Sequence, residues 1–265
     1  MPTLIRRLAI AVVTVVFLGG CGSGGEASSG TTSTTTTTAG STNSTAPTAV
    51  DTTSPPTVAT SDQTVVARAE VDVVDVFDEE TSTEPARRLD RTTEVTGELV
   101  FVVEQRATGA DGRHLVQLPV RPNGSTGWVR AADVSLSSHD YRIEVTLGEH
   151  ELRLVRAGEV LIEAPIGVGT EDTPTPGGTY YLKELLQPPE PDGPYGTYAY
   201  GLSGFSNELE SFAGGDAVIG IHGTNRPDRV GTDVSAGCIR VTNDVMDRMV
   251  EEIGLPLGVP VTIEA

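Results

Sequence analysis

A chain of 265 residues has room for one or two domains plus tails. Its 37 acidic residues outnumber 18 basic ones, for a formal net charge of −19, so it lacks the basic surface that phosphate backbones require. No nucleic-acid partner is expected. The acidity favours solubility and discourages binding to anionic surfaces, but it leaves fold and chemistry open.

Residues 1–20 read MPTLIRRLAIAVVTVVFLGG, a basic start at Arg6 and Arg7 followed by an apolar run from Leu8 to Leu18. That run is short of the roughly 20 residues that cross a bilayer, and the pattern is that of a secretory signal. Directly behind it, Leu18-Gly19-Gly20-Cys21 resembles the lipobox of bacterial lipoproteins. The resemblance implies that Cys21 is lipidated and that the chain is anchored, extracytoplasmically, at the outer face of the membrane and facing the cell wall. Residues 21–62 are dominated by Ser, Thr, Gly and Ala, with an unbroken run from Thr34 to Thr38, and carry no apolar periodicity. Such a segment buries too little apolar surface to offset its chain entropy and is expected to be a disordered tether.

Between Thr64 and Leu136 the pattern changes to short β-strands: TVVARAEVDVVDVF, ELVFVVEQRA, HLVQLPVRP and GWVRAADVSL, separated by Gly, Asn, Asp and Pro. Strands this short and closely spaced imply a small barrel. The run LVQLPVRPNGSTGWVRAADV resembles the bacterial SH3-like domain of cell-wall proteins and places that domain at residues 63–137. By the resemblance it either binds wall peptides or spaces the next domain. Trp128, the only tryptophan, suits a ligand platform less well than a partly buried barrel residue.

From Tyr141 a second set begins: YRIEVTL, HELRLVR and EVLIEAPIGV alternate with period two around turns at Gly148-Glu149 and Ala157-Gly158, which predicts a meander of half-buried strands. The stretches TEDTPTPGGTYYL and LLQPPEPDGPYGTYAYGL are too rich in Pro and Gly for helix. They predict long turns around one strand near Thr179 to Leu182. Ala217 to Ile221 predicts a strand leading into His222. Asp244 to Ile253 has helical spacing, with Val245, Met249, Val250 and Ile253 on one face, a cap at Asn243 or Asp244 and a stop at Gly254. Val259 to Glu264 returns to strand. The expected fold is therefore mostly β, a small SH3-like barrel followed at residues 139–265 by a β-rich catalytic domain with one helix.

The chemistry is concentrated in IHGTNRPDRVGTDVSAGCIRVTNDVMD. An exported chain that used cysteines for disulfides would pair them, yet with Cys21 consumed by lipid, Cys238 is a lone thiol in an oxidising compartment. Fifteen residues separate it from His222, whose imidazole could accept the thiol proton and later return it to a leaving amine. Gly237 lets the backbone turn sharply and bring amides near a developing oxyanion, so Gly237 and Cys238 are candidate donors. Arg240 could hold a substrate carboxylate in a planar fork or pair with an acidic neighbour. His114, His139 and His150 sit in strand or linker contexts, and no His, Cys and carboxylate set has ligand spacing, so no metal is expected.

This passage resembles the YkuD-type L,D-transpeptidase family, whose signature is a His-Gly pair, a spacer of this length and a Ser/Thr-x-Gly-Cys-hydrophobic-Arg run. His222 and Gly223 match the pair, Ser235 the hydroxyl, Gly237 the glycine, Cys238 the nucleophile and Arg240 the basic residue. Thr173-Pro174-Thr175-Pro176-Gly177 resembles the family's upstream Thr-Pro segment. Ala236 departs from it, standing where many relatives have histidine. The resemblance implies a cofactor-free reaction on peptidoglycan stem peptides: Cys238 displaces D-alanine to form a thioester, and a second stem amine resolves it into a cross-link in cell-wall biogenesis. A backbone carbonyl at Gly223 would orient the base, Ser235, Gly237 and Arg240 would bind substrate or oxyanion, and carbapenems would acylate Cys238. An L,D-carboxypeptidase, a transferase joining another protein to the wall, and a non-catalytic peptidoglycan-binding lipoprotein remain as alternatives.

Overall fold

The structure is a computed structural model that describes residues 63–92, 98–212 and 214–265. The signal segment, Cys21 and the tether lie outside the described residues. Seven strands come first: β1 (Thr64–Ala69), β2 (Val73–Phe77), β3 (Arg87–Asp90), β4 (Val100–Gln105), β5 (Arg113–Gln117), β6 (Thr126–Arg130) and β7 (Val134–His139). They form one antiparallel sheet in the order β3-β2-β6-β5-β4-β1-β7. Alternation along them turns Ala67, Val74, Val76, Phe101, Val116 and Val129 into a common core. GWVRAADVSL, expected as one strand, is split by a 3-10 turn at Ala131–Asp133 into β6 and β7. Trp128 is half-buried on β6.

The second part holds β8 (Tyr141–Thr146), β9 (Glu151–Arg156), β10 (Glu159–Pro165), β11 (Val168–Gly169), β12 (Gly178–Leu186), β13 (Ala199–Phe205), β14 (Val218–His222), β15 (Asp233–Ser235), β16 (Ile239–Arg240) and β17 (Pro260–Glu264). An eight-stranded sheet runs β10-β9-β8-β17-β12-β13-β14-β16, while β11 and β15 pair separately in parallel. Ile143, Val145, Leu152, Leu154, Val261 and Ile263 are the inward members of alternating strands and build its core. The expected turn region through Tyr198 to Leu202 contains β13 instead. All seven of its residues are buried, so the period-two signal of a half-exposed strand is missing there.

The helix α1 (Asn243–Asp247) widens over Arg248–Glu252, where Ile253 N–H donates to Arg248 O across five residues at 3.0 Å. It ends at Gly254, whose φ of +65° is the left-handed geometry of a helix stop. Met246 and Met249 are fully buried, with Val245, Val250 and Ile253 beside them. The expected cap is not formed: Thr242 precedes the helix without a side-chain capping bond, and Asn243 Oδ1 accepts from Thr224 N–H instead.

Tyr181 ties the two sheets together. It leaves β12 fully buried against Val66, Val100 and Val102 of the first sheet, and its hydroxyl donates to Val100 O at 3.0 Å. Burial pushes this phenol far above the ordinary tyrosine range, so it remains a donor at every accessible pH. We expect Tyr181→Phe to cost about 1 kcal/mol for the lost hydrogen bond. Tyr181→Ala should cost about 3–5 kcal/mol, as for a large ring removed from a core. Urea unfolding followed by circular dichroism measures both, and a Tyr181→Phe variant as stable as wild type would contradict the hydrogen-bond assignment.

Candidate active site

Two short strands set the site. Strand β14 runs parallel to β16 with Ile221 opposite Ile239 and His222 opposite Arg240, and Val241 N–H continues the register by donating to His222 O at 3.0 Å. The histidine at the end of one strand is thereby brought beside the cysteine that precedes the other. His222 and Cys238 line the same two cavities, one of about 150 Å³ and one of about 440 Å³.

The His222 ring is buried, and its Nδ1 lies 2.6 Å from Gly223 O. A carbonyl only accepts, so Nδ1 carries the hydrogen and Nε2 keeps the lone pair that a base needs. Burial is the main reason that the imidazolium is disfavoured, with a smaller contribution from the Arg240 charge. The bond to Gly223 opposes both, and the pKa falls to about 4. Burial likewise pushes the Cys238 thiol up, against the Gly220 backbone bond and the Arg240 charge, which pull it down. The resting pair is therefore a neutral imidazole beside a neutral thiol.

The turn that presents Cys238 is stitched by Ser235, which is buried at the end of β15. Its Oγ donates to Cys238 O at 2.5 Å and accepts from Gly237 N–H at 3.1 Å. The Ser235 hydroxyl and the Gly237 amide are thus both engaged in the turn, and the Cys238 amide has no hydrogen-bond acceptor among the described residues. Gly237 itself is required by φ +112° and by Ile219 Cδ1, 3.0 Å from where a Cβ would stand.

The Thr-Pro segment supports the same turn from behind. Ser235 O accepts from Thr170 N–H at 3.1 Å and Thr173 Oγ1 at 3.4 Å, while Thr175 Oγ1 accepts from Gly169 N–H at 2.8 Å. Arg240 lines the smaller cavity, forms no salt bridge among the described residues, and has a buried Nε without a partner among them. The pairing with an acidic loop neighbour is thus not made.

Three contributors were not anticipated from sequence. Asn243 Oδ1 sits 2.3 Å from where a Gly223 Cβ would be and 2.1 Å from where one on Gly196 would be, so two glycines close around its side chain and fix the loop that carries the Gly223 carbonyl. Tyr195 lies against His222 with ring centroids 4.9 Å apart. Phe212, 48% exposed, lines both cavities. No motif marks the two aromatics, whose roles exist only through tertiary adjacency.

The family model described as the L,D-transpeptidase catalytic domain, YkuD, matches residues 140–263. A Bacillus licheniformis protein named as the L,D-transpeptidase YkuD is 38% identical over 108 residues, covering 40% of this chain and 57% of that protein. Its Bacillus subtilis namesake is 35% identical over 123 residues, covering 46% of this chain and 65% of that protein. The chain thus spans less than two thirds of the length of these relatives. Among solved structures, an L,D-transpeptidase from Mycobacterium smegmatis aligns at 17% identity with a TM-score of 0.40, covering 72% of this chain and 99% of that one. Residues 140–263 are thus similar to the L,D-transpeptidase catalytic domain, YkuD, by the family model and by both Bacillus relatives.

Proposed function

We propose that the chain cross-links peptidoglycan stem peptides by L,D-transpeptidation, with Cys238 as nucleophile and His222 as general base. The observation that carries this reading is the buried His222 ring, held by Gly223 O with Nε2 free, in the cavities that Cys238 also lines. Nε2 takes the thiol proton as Sγ bonds to the carbonyl carbon at the L-centre of diaminopimelate in a donor tetrapeptide. The oxyanion forms beside the Cys238 amide. On collapse the C–N bond breaks and His222 returns the proton to the departing D-alanine amine, leaving a thioester. A neutral side-chain amine of a second stem attacks the thioester and loses its proton to His222, which reprotonates the Cys238 thiolate as the cross-link is released.

Arg240, with no salt-bridge partner among the described residues and in the cavity that Cys238 lines, suits the terminal carboxylate of the donor. Ala236 leaves the smaller cavity without the imidazole that many relatives would place there. The rest of the chain fits the same setting: residues 63–137 as an SH3-like module that spaces or docks the catalytic domain on wall peptides, and Cys21 as a lipid anchor. On this reading Cys21→Ala shifts the chain from the membrane fraction to the soluble fraction on cell fractionation, and unchanged membrane retention would sink the anchor.

Incubation with a diaminopimelate tetrapeptide, read by mass spectrometry, should give a Cys238 acyl adduct, free D-alanine and peptide dimer. Cys238→Ala should give none of these, and His222→Ala should be slower by roughly 10²–10⁴-fold, the usual worth of a positioned base. A tetrapeptide amidated at its C-terminus should react poorly in wild type and no worse in Arg240→Ala. Hydrolysed tripeptide without dimer would identify a carboxypeptidase, and no product from wild type would favour a wall-binding protein.

The pH profile is set by the lowered histidine. A base must be neutral, and a pKa of about 4 keeps His222 neutral well below the 6.5 of a free imidazole. Acylation of Cys238 by a carbapenem, followed by intact mass, should therefore persist through pH 6 to 5 and decline only as pH approaches 4. An acid limb centred at 6.5 would mean that the ring is solvated in the working enzyme.

A further inference from the structure

The segment 206–217 connects β13 to β14 and forms one wall of the Cys238 site, with Leu209, Phe212 and Ala217 facing the smaller cavity and Phe212, Asp216 and Ala217 the larger. It has little core of its own. Asn207, Glu208, Glu210, Ser211, Phe212 and Asp216 are all exposed, and among the described residues its internal ties are a neck bond from Ser206 N–H to Ala217 O at 2.9 Å, a local turn in which Ser206 Oγ accepts from Glu208 N–H at 3.2 Å and Leu209 N–H at 3.1 Å, and a reciprocal pair between Phe212 and Gly215. A segment so poor in buried apolar contacts opens locally unless something else holds it.

What holds it comes from the other sheet. The turn between β5 and β6 projects Arg121, whose guanidinium donates from Nη1 to Ser206 O at 2.9 Å and from Nη2 to Leu209 O at 2.9 Å and Asp216 O at 3.0 Å. One planar fork thus bridges the ascending and descending stems of the loop and lies over the Phe205 ring, 4.9 Å from its centroid. Two residues on, the Asn123 side-chain amide accepts from Phe205 N–H at 2.9 Å and donates to Phe205 O at 2.8 Å, pairing with the edge of β13 as a neighbouring strand would.

We propose that Arg121, assisted by Asn123, is a positioning residue that holds segment 206–217 closed over Cys238 and so lets the N-terminal sheet control access to the nucleophile. As a statement about catalysis this rests on the transpeptidase reading above; as a statement about access it does not. A lysine keeps the charge but lacks the fork that reaches both stems, so Arg121→Lys should behave as Arg121→Ala does.

The test uses the intact chain, with Arg121→Ala, Arg121→Lys and Asn123→Ala beside wild type. Losing several charge-assisted bonds should raise hydrogen exchange within 207–216 by about tenfold while the unfolding midpoint moves little. Alkylation of Cys238 by iodoacetamide should quicken severalfold at constant pH, and KM for the tetrapeptide should rise more than kcat falls. Exchange and alkylation within twofold of wild type in both Arg121 variants would overturn the proposal, as would faster exchange with unchanged alkylation. Faster exchange and alkylation in a protein that turns over no stem peptide would uphold the brace and reject the transpeptidase reading. Full rescue by lysine would also overturn it, since a simple charge would then suffice.

Discussion

The parallel pairing of β14 with β16 is the constraint on which the rest of the site depends. It is only two residues long, yet it fixes His222 opposite Arg240 and therefore fixes where Cys238, two residues before Arg240, must stand. A one-residue slip would turn every side chain of these strands to the other face, putting Ile221 where His222 now lies. So short a ladder cannot hold itself. Its register is held from outside by the reciprocal Gly167–Arg240 bonds at 2.8 Å, by the β11–β15 pair, and by Ile219, Ile221, Ile239 and Val241, all buried in one core.

Once that register is set, the polar atoms around Cys238 fall into two groups with separate tasks. Ser235, Gly237, Thr170, Thr173 and Asn243 satisfy one another or the backbone and build a rigid turn. Nε2 of His222 lies away from the Gly223 bond, and Nε of Arg240 has no partner among the described residues. The division has an electrostatic corollary. Burial disfavours both the imidazolium and the thiolate, so the charge-separated pair does not form at rest. A thiol held neutral in this way is a weak nucleophile and slow to oxidise until its proton is removed.

Much of this was legible in the sequence because its signals are local. Alternation in YRIEVTL and HELRLVR predicts the hairpin that forms, and the His-Gly and Ser-Ala-Gly-Cys-Ile-Arg runs mark residues that line one cavity. The misses share one physical cause, which is that their signals are tertiary. Strand β13 is buried on both faces and lies in a Gly-rich stretch, so it has neither alternation nor typical composition. Asn243 reads as a helix cap because Asn caps helices, but the close approach of Gly196 and Gly223 turns its oxygen to the catalytic loop. Ser235 and Gly237 stand out in the sequence, while the bond between them cannot be seen in a one-dimensional pattern.

The relation between the two sheets follows from the same economy of contacts. The catalytic sheet spends its apolar residues on the ladder beneath Cys238, leaving the outer wall of the site with a half-exposed Phe212 and backbone carbonyls that its own segment does not satisfy. Donors for those carbonyls must then come from elsewhere, and the turn after β5 is the element that Tyr181 and its apolar neighbours bring within reach. Packing at Tyr181 and hydrogen bonding at Arg121 are therefore successive steps of one arrangement: the buried contact sets the distance between the sheets, and at that distance the guanidinium spans both stems of the loop. A chain cut at residue 139 would keep His222 and Cys238 but lose both contacts, and the wall beside Cys238 would be left with only the few hydrogen bonds of its own segment.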